Sequence, residues 1–81
     1  MPEIFERIRL LTPPTETVDL TLAHAPIQLV RTVTWMDHQP PLACPVHAVE
    51  ASTGQVRLAL SALPGAQLWV WLTFDVVYVL P

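Results

Sequence analysis

The sequence predicts an all-β fold, a small antiparallel β-sandwich. The clearest strand lies at residues 55–61, where Val56, Leu58 and Leu60 alternate with polar or small side chains. A period of two with one apolar side is typical of a strand lying on a core. The turn residues Ser-Thr-Gly precede it at 52–54, and nine prolines divide the remaining chain into short segments. Short strands separated by Pro and Gly turns favour a sandwich.

We interpret the first eleven residues as an arm outside the sandwich. Ile4, Ile8 and Leu10 would line one face of a strand, although the same segment also fits a helical turn that follows Pro2 and Glu3. Two successive prolines at positions 13 and 14 then interrupt any strand, because neither can donate a backbone hydrogen bond. We therefore expect an arm with a Pro-rich hinge over residues 1–16, followed by a sandwich domain over residues 17–81.

Two strands open the predicted sandwich. The first covers residues 17–22, and the second covers residues 27–35 after a turn at 24–26. Ile27, Leu29, Val33 and Trp35 share one parity in the second strand, but Arg31 falls on the same side. A charged side chain would therefore point into the core, so we expect an irregularity near residues 30–32.

A loop and three further segments complete the predicted order. Residues 37–45 contain three prolines and read as a loop. A short strand follows at 46–50, and a turn at 62–66 leads to residues 68–80, which form one long strand or two strands broken near 73–75. The expected core residues are Val18, Leu20, Leu22, Leu29, Val33, Trp35, Val56, Leu58 and Leu60.

Composition and charge argue against several classes of protein. The chain has four arginines, no lysine and seven acidic residues, with a net charge of −3. Nucleic-acid binding requires several cations on one face, so we expect no nucleic-acid partner. The longest apolar segment, residues 68–80, is too short for a spanning helix, which needs ~20 residues, so we expect no membrane partner. The acidic N-terminus also differs from a secretory signal.

Metal and catalytic sites receive little support from residue spacing. His24, His38, His47 and Cys44 are all metal-ligand types, but structural zinc sites usually show two close pairs of ligands. Four acids could act as paired catalytic carboxylates, yet none is close in sequence to another and no nucleophile motif accompanies them. These acids are Asp19, Asp37, Glu50 and Asp75. We expect no enzyme activity, no metal and no cofactor.

Aromatic and apolar residues in two segments predict a contact surface. In an extended 68–80 segment, one face is wholly apolar, and Trp69 and Trp71 lie on the other face. Both faces cannot be buried in a small sandwich, so these tryptophans either lie under the N-terminal arm or contact another subunit. The predicted partner interface consists of Ile4, Phe5, Ile8, Leu10, Trp69 and Trp71.

The order of short phrases along the chain resembles a known family. These phrases are VDLTL at 18–22, PIQL at 26–29, VTW at 33–35, TGQVRLALS at 53–61, PG at 64–65 and WVW at 69–71. Together they resemble the immunoglobulin-like β-sandwich domain at the N-terminus of bacteriophage upper-baseplate and related tail proteins. The resemblance covers roughly residues 17–79, and the order and spacing of the phrases carry it.

This resemblance implies a structural role in a virus particle. It leads us to expect an immunoglobulin-like sandwich that is assembled in the bacterial host cytoplasm and works as a virion subunit of the tail, baseplate, fibre joint or capsid surface. Its partners would be other virion proteins and further copies of itself, in a homo-oligomer. The alternative function is a small module that binds a carbohydrate or a metal, built from Trp69, Trp71 and the histidine loops.

Overall fold

The computed structural model describes residues 2–12, 16–60 and 69–81. This part of the chain forms seven strands and no long helix, and none of its helices has the length and apolarity that a bilayer crossing requires. The strands are β1 (Ile4–Thr12), β2 (Thr17–Thr21), β3 (Gln28–Met36), β4 (Leu42–Ala43), β5 (Val46–Glu50), β6 (Gln55–Ala59) and β7 (Val70–Val79).

The strands form two antiparallel sheets that pack together. One sheet has four strands in the order β1-β7-β3-β4, and the other has three in the order β2-β6-β5. Every strand pair in both sheets is antiparallel. The predicted all-β antiparallel sandwich is therefore confirmed.

The core lies between β7 of one sheet and the β2–β6 pair of the other. β7 is a single unbroken strand, and its predicted apolar face contributes Leu72, Phe74, Val76 and Tyr78. The opposite sheet and the segments that flank its strands contribute Leu20, Leu22, Val56, Leu58 and Leu60, all predicted core residues. Arg57 is exposed next to fully buried Leu58, as the predicted alternation requires.

The interpretation of residues 1–11 as an arm outside the sandwich is wrong. β1 pairs with β7 along its whole length, from Ile4 opposite Tyr78 to Thr12 opposite Val70. Ile4, Ile8 and Leu10 pack against the core. Strand pairing within the chain satisfies the backbone groups of both strands and removes these side chains from water without a second subunit. The predicted hinge includes residues 13–15, which lie outside the described residues.

The predicted irregularity in β3 is confirmed, and its consequence for the core was missed. The register between β3 and β7 shifts between Leu29 and Arg31. An extra residue in one strand reverses the facing of every later side chain. Thr32 and Thr34 are therefore buried. Val33 and Trp35 lie on the outer face of the sheet instead, so the prediction that they are core residues is wrong.

Turns and loops largely follow the predicted positions. The turn at 51–54 contains Gly54 with a φ of 76°, and its carbonyl accepts a hydrogen bond from the Leu22 amide at 2.9 Å. The short strand β4 lies within the segment predicted as the 37–45 loop. The predicted turn at 62–66 lies outside the described residues.

Candidate interaction surface

The outer face of the four-stranded sheet combines aromatic and arginine side chains. We call it the arginine–aromatic face and define it by Phe5, Arg7, Arg9, Arg31, Trp35 and Trp71. Its strands place Phe5, Val77 and Arg31 in one cross-strand row, and Arg9, Thr73 and Trp35 in another. These residues share a face because side chains directly opposite on paired strands point the same way.

Arg7 occupies the middle of this face. Its guanidinium forms a bidentate pair with Asp75, with Nε at 2.8 Å from Oδ1 and Nη2 at 2.9 Å from Oδ2. The same group lies 5.1 Å from the centre of the Trp35 ring and 5.8 Å from that of Phe5. The hydrogen bonds from Arg7 to Asp75 raise the pKa of the guanidinium further above its ordinary value. The ion pair therefore places the Arg7 guanidinium beside both aromatic rings.

Arg9 repeats the arrangement at the next outward position of β1. It pairs with Asp37 through Nη1–Oδ1 and Nη2–Oδ2 contacts of 2.8 and 2.7 Å. Its guanidinium carbon lies 5.1 Å from the centre of the Trp71 ring. These hydrogen bonds lower the pKa of the Asp37 carboxyl below its ordinary value. Since Asp37 follows β3, this pair also links β1 to β3 across the central strand.

The predicted interface residues fall on two different sides of the sheet. Phe5, Trp69 and Trp71 are 59%, 63% and 47% exposed. In contrast, the side chains of Ile4, Ile8 and Leu10 point inward and pack against the core, so they are not available to a partner. The three aromatic residues are therefore exposed, whereas the three aliphatic residues belong to the packing of the core.

Sequence reasoning missed the arginines of this face. The signal was the alternation within β1, which places Phe5, Arg7 and Arg9 on the side opposite Ile4 and Ile8. Such alternation is typical of a strand with one polar face. It could not show that β7 and β3 would bring Trp71 and Trp35 alongside the two arginines.

A second polar contact lies on the inner side of β1. Glu6 accepts hydrogen bonds from the Tyr78 hydroxyl and from the Ala23 amide, the latter at 2.7 Å. Burial, and then the hydrogen bond to Glu6, raise the pKa of Tyr78 to about 12, and a backbone hydrogen bond with His24 opposes this rise. The contact joins β1, β7 and the loop after β2, so its position indicates a structural role.

The candidate metal ligands and catalytic acids are placed apart or already paired. Among residues 2–12, 16–60 and 69–81, no three His, Cys, Asp or Glu side chains lie close enough to hold a metal ion. Cys44 is buried, its Sγ donates to the Ala59 carbonyl at 3.6 Å, and burial raises the pKa of the thiol. Asp19 pairs with Arg57 at 2.7 Å, just as Asp37 and Asp75 pair with arginines of β1.

Comparison of this chain with family models, curated proteins and solved structures finds no match.

Proposed function

We propose that this chain is a non-enzymatic structural subunit that works by docking onto other protein subunits through its arginine–aromatic face. The single observation behind this proposal is the composition of that face. It brings two exposed aromatic residues, Phe5 and Trp71, together with three of the four arginines of the chain. Tryptophan and arginine are the residue types most enriched where protein interfaces gain their binding energy.

The side chains of this face are already held in position, which favours a docking role over catalysis. Arg7 and Arg9 are held by bidentate aspartates and by neighbouring rings, so binding requires little further ordering of these long side chains. Preorganised side chains lose less entropy when a partner binds. Exposed apolar area of this kind is also informative in a chain with only 14% charged residues.

We further propose a bacteriophage particle as the assembly. The support for this setting is the ordered series of sequence phrases that resembles the immunoglobulin-like domains of baseplate and tail proteins. A sandwich of two antiparallel sheets is compatible with that family. In this role the domain acts in the virion, with further copies of itself and other virion proteins as partners.

Sedimentation of the purified chain over a range of concentrations tests the docking function. We expect the mass to rise with concentration. Combined Phe5→Ser and Trp71→Ser substitutions should weaken self-association by about tenfold or more, because they remove exposed aromatic anchors. The matched control is Leu80→Ser, which removes an exposed apolar side chain outside the face and should leave association unchanged.

Far-UV circular dichroism and thermal unfolding establish that each variant is folded before it is compared. A wild-type chain that stays monomeric at every concentration would contradict the proposal for self-assembly. Equal weakening by the control and the face variants would also contradict it, since the contact would then lie elsewhere.

Carbohydrate binding is a second candidate because of one local arrangement. Met36, Asp37, Gln39, Val70 and Trp71 line a shallow depression of about 310 Å³. Polar groups beside an exposed tryptophan are typical of sugar sites, and the sequence alone did not place them together. However, the Arg9 guanidinium is already paired with the Asp37 carboxylate and lies over the Trp71 ring. Tryptophan fluorescence titrated with a panel of mono- and oligosaccharides separates the two candidates, since the docking function predicts no change.

A further inference from the structure

Arg31 differs from the other arginines because it has no partner in the described part of the chain. Arg7, Arg9 and Arg57 each form a bidentate pair with an aspartate. Arg31 is exposed and makes no hydrogen bond or ion pair with any described residue. The arginine–aromatic face therefore carries one guanidinium in excess over its two aspartates.

The bulge in β3 is what places Arg31 on this face. Leu29 packs against the core, so a regular strand would also point residue 31 inward. The register shift between Leu29 and Arg31 turns the arginine outward, opposite Val77 of β7. There it borders a depression of about 350 Å³ that Phe5 and Trp35 also line. Bulges often re-aim a side chain at a functional surface.

The outer face of the three-stranded sheet has the opposite character. Asp19, Ala48, Glu50, Gln55 and Arg57 line a shallow depression of about 180 Å³ there, which we call the acidic face. Asp19 is paired with Arg57, whereas the Glu50 carboxylate is exposed and makes no hydrogen bond or ion pair with a described residue. This face therefore carries one carboxylate in excess.

We infer that the arginine–aromatic face of one copy stacks on the acidic face of a second copy, with Arg31 entering the depression beside Glu50. This inference rests on the proposed docking function and names its partner surface. The charges are complementary, since each face has one unpaired group of opposite sign.

Charge selects this head-to-tail contact over a symmetric one. A contact between two arginine–aromatic faces would bring together two surfaces that each carry an excess positive charge, and a contact between two acidic faces would bring together two surfaces that each carry an excess negative charge. Like charges brought together in an interface are unfavourable. A head-to-tail contact uses two different surfaces of each copy and so produces a ring or an open chain of subunits.

Charge reversal at each end of the proposed contact tests it by sedimentation. Arg31→Glu alone and Glu50→Arg alone should each weaken self-association by about tenfold or more, because each creates a like-charge contact. An equimolar mixture of the two variants should recover association, since each then meets an opposite charge on the other. Glu16→Arg is the matched control, because Glu16 is exposed and lines neither depression, and it should associate like the wild type.

The outcomes separate this inference from the proposed function. The head-to-tail contact would be overturned if Glu50→Arg associated as strongly as the wild type while the Phe5 and Trp71 substitutions still weakened association. The proposed docking function would then stand. Failure of the mixture to recover would overturn the Arg31–Glu50 pairing. A monomeric wild-type chain would overturn both. Near-identical circular dichroism spectra establish that the three variants keep the fold.

Discussion

Single residues connect the two sheets at one end of the sandwich. Tyr78 is fully buried in β7, and its hydroxyl donates to Glu6 of β1. The same carboxylate accepts the amide of Ala23 from the loop that follows β2. One acidic side chain therefore ties together an edge strand, the central strand and a loop of the opposite sheet.

Titration of Tyr78 is expected to lower stability at alkaline pH. The pKa of the Tyr78 hydroxyl is raised from 10.0 to about 12 in the folded chain. As pH rises from 10 to 12, this hydroxyl therefore loses its proton in the unfolded chain before it does so in the folded chain. The free energy of unfolding should therefore fall as pH rises through this interval. Tyr78 is the one tyrosine of the chain, so tyrosinate absorbance reports it directly.

The Tyr78→Phe variant provides the control for this alkaline effect. It should cost about 1–3 kcal/mol at neutral pH, because the half-buried Glu6 loses a hydrogen-bond donor. Its stability should fall less steeply than that of the wild type above pH 10, where the buried Cys44 thiol still contributes to the decline. Tyrosinate that forms near pH 10 in the folded wild type would contradict the argument.

Gly54 is the residue at which backbone geometry requires glycine. Its φ is 76°, and an added Cβ would lie 2.8 Å from the backbone carbonyl oxygen of His24. We expect Gly54→Ala to lower the free energy of unfolding by about 1–3 kcal/mol through left-handed strain and this contact. Urea unfolding measures the effect, with Ser52→Ala in the same turn as the control. An unchanged midpoint would show that the turn relaxes freely.

At the scale of elements, β1 is both a cover for the core and half of the proposed docking surface. Its inward residues pack against the core, and its outward residues carry the arginine–aromatic face. The alternation of a strand makes this double role possible, because neighbouring side chains point to opposite sides of the sheet.

Paired substitutions in β1 should separate these two roles. Ile8→Ala is expected to lower the free energy of unfolding by about 1–3 kcal/mol, since a partly buried side chain is lost from the core. Phe5→Ala should change it by less than about 1 kcal/mol, because Phe5 is mostly exposed, and should weaken self-association instead. Chemical unfolding and sedimentation of both variants make the comparison. Equal losses of stability would contradict the assigned facing.

At the scale of the whole molecule, ion pairs link strands on the outside of both sheets. Asp19 pairs with Arg57 across β2 and β6, and Asp37 pairs with Arg9 between β3 and β1. Hydrogen bonds from these arginines lower the pKa of both carboxyls. All four side chains are largely exposed, so the stabilisation from each pair is small.

The two carboxyls should make stability decline in acid. Their pKa values are lower in the folded than in the unfolded chain, so the stabilisation is present above about pH 4 and is lost as pH falls through the folded values. Combined Asp19→Asn and Asp37→Asn substitutions should flatten this decline, measured as unfolding temperature against pH at low salt. Glu3→Gln is the control and should keep the wild-type slope. An unchanged slope in the double variant would assign the decline to other groups.

Local alternation of side chains was enough to predict the class and most of the strands. Val56, Leu58 and Leu60 identified β6 and its core face from sequence alone, because a period of two is a property of neighbouring residues. Arg31 revealed the irregularity in β3 in the same way, since a charge does not belong in an apolar row. Trp69 and Trp71 were assigned to the face opposite the apolar one for the related reason that a small domain cannot bury both faces of one strand.

Tertiary pairing decided what local pattern could not. Two prolines after β1 suggested separation from the domain, but pairing with β7, which follows more than fifty residues later, made β1 part of the sheet. The bulge moved Val33 and Trp35 out of the core, because a one-residue shift reverses every later facing. Strand order then set Arg7 beside Trp35 and Arg9 beside Trp71. The sequence alone determined which residues alternate, whereas the docking face exists only because long-range pairing aligns three separate strands.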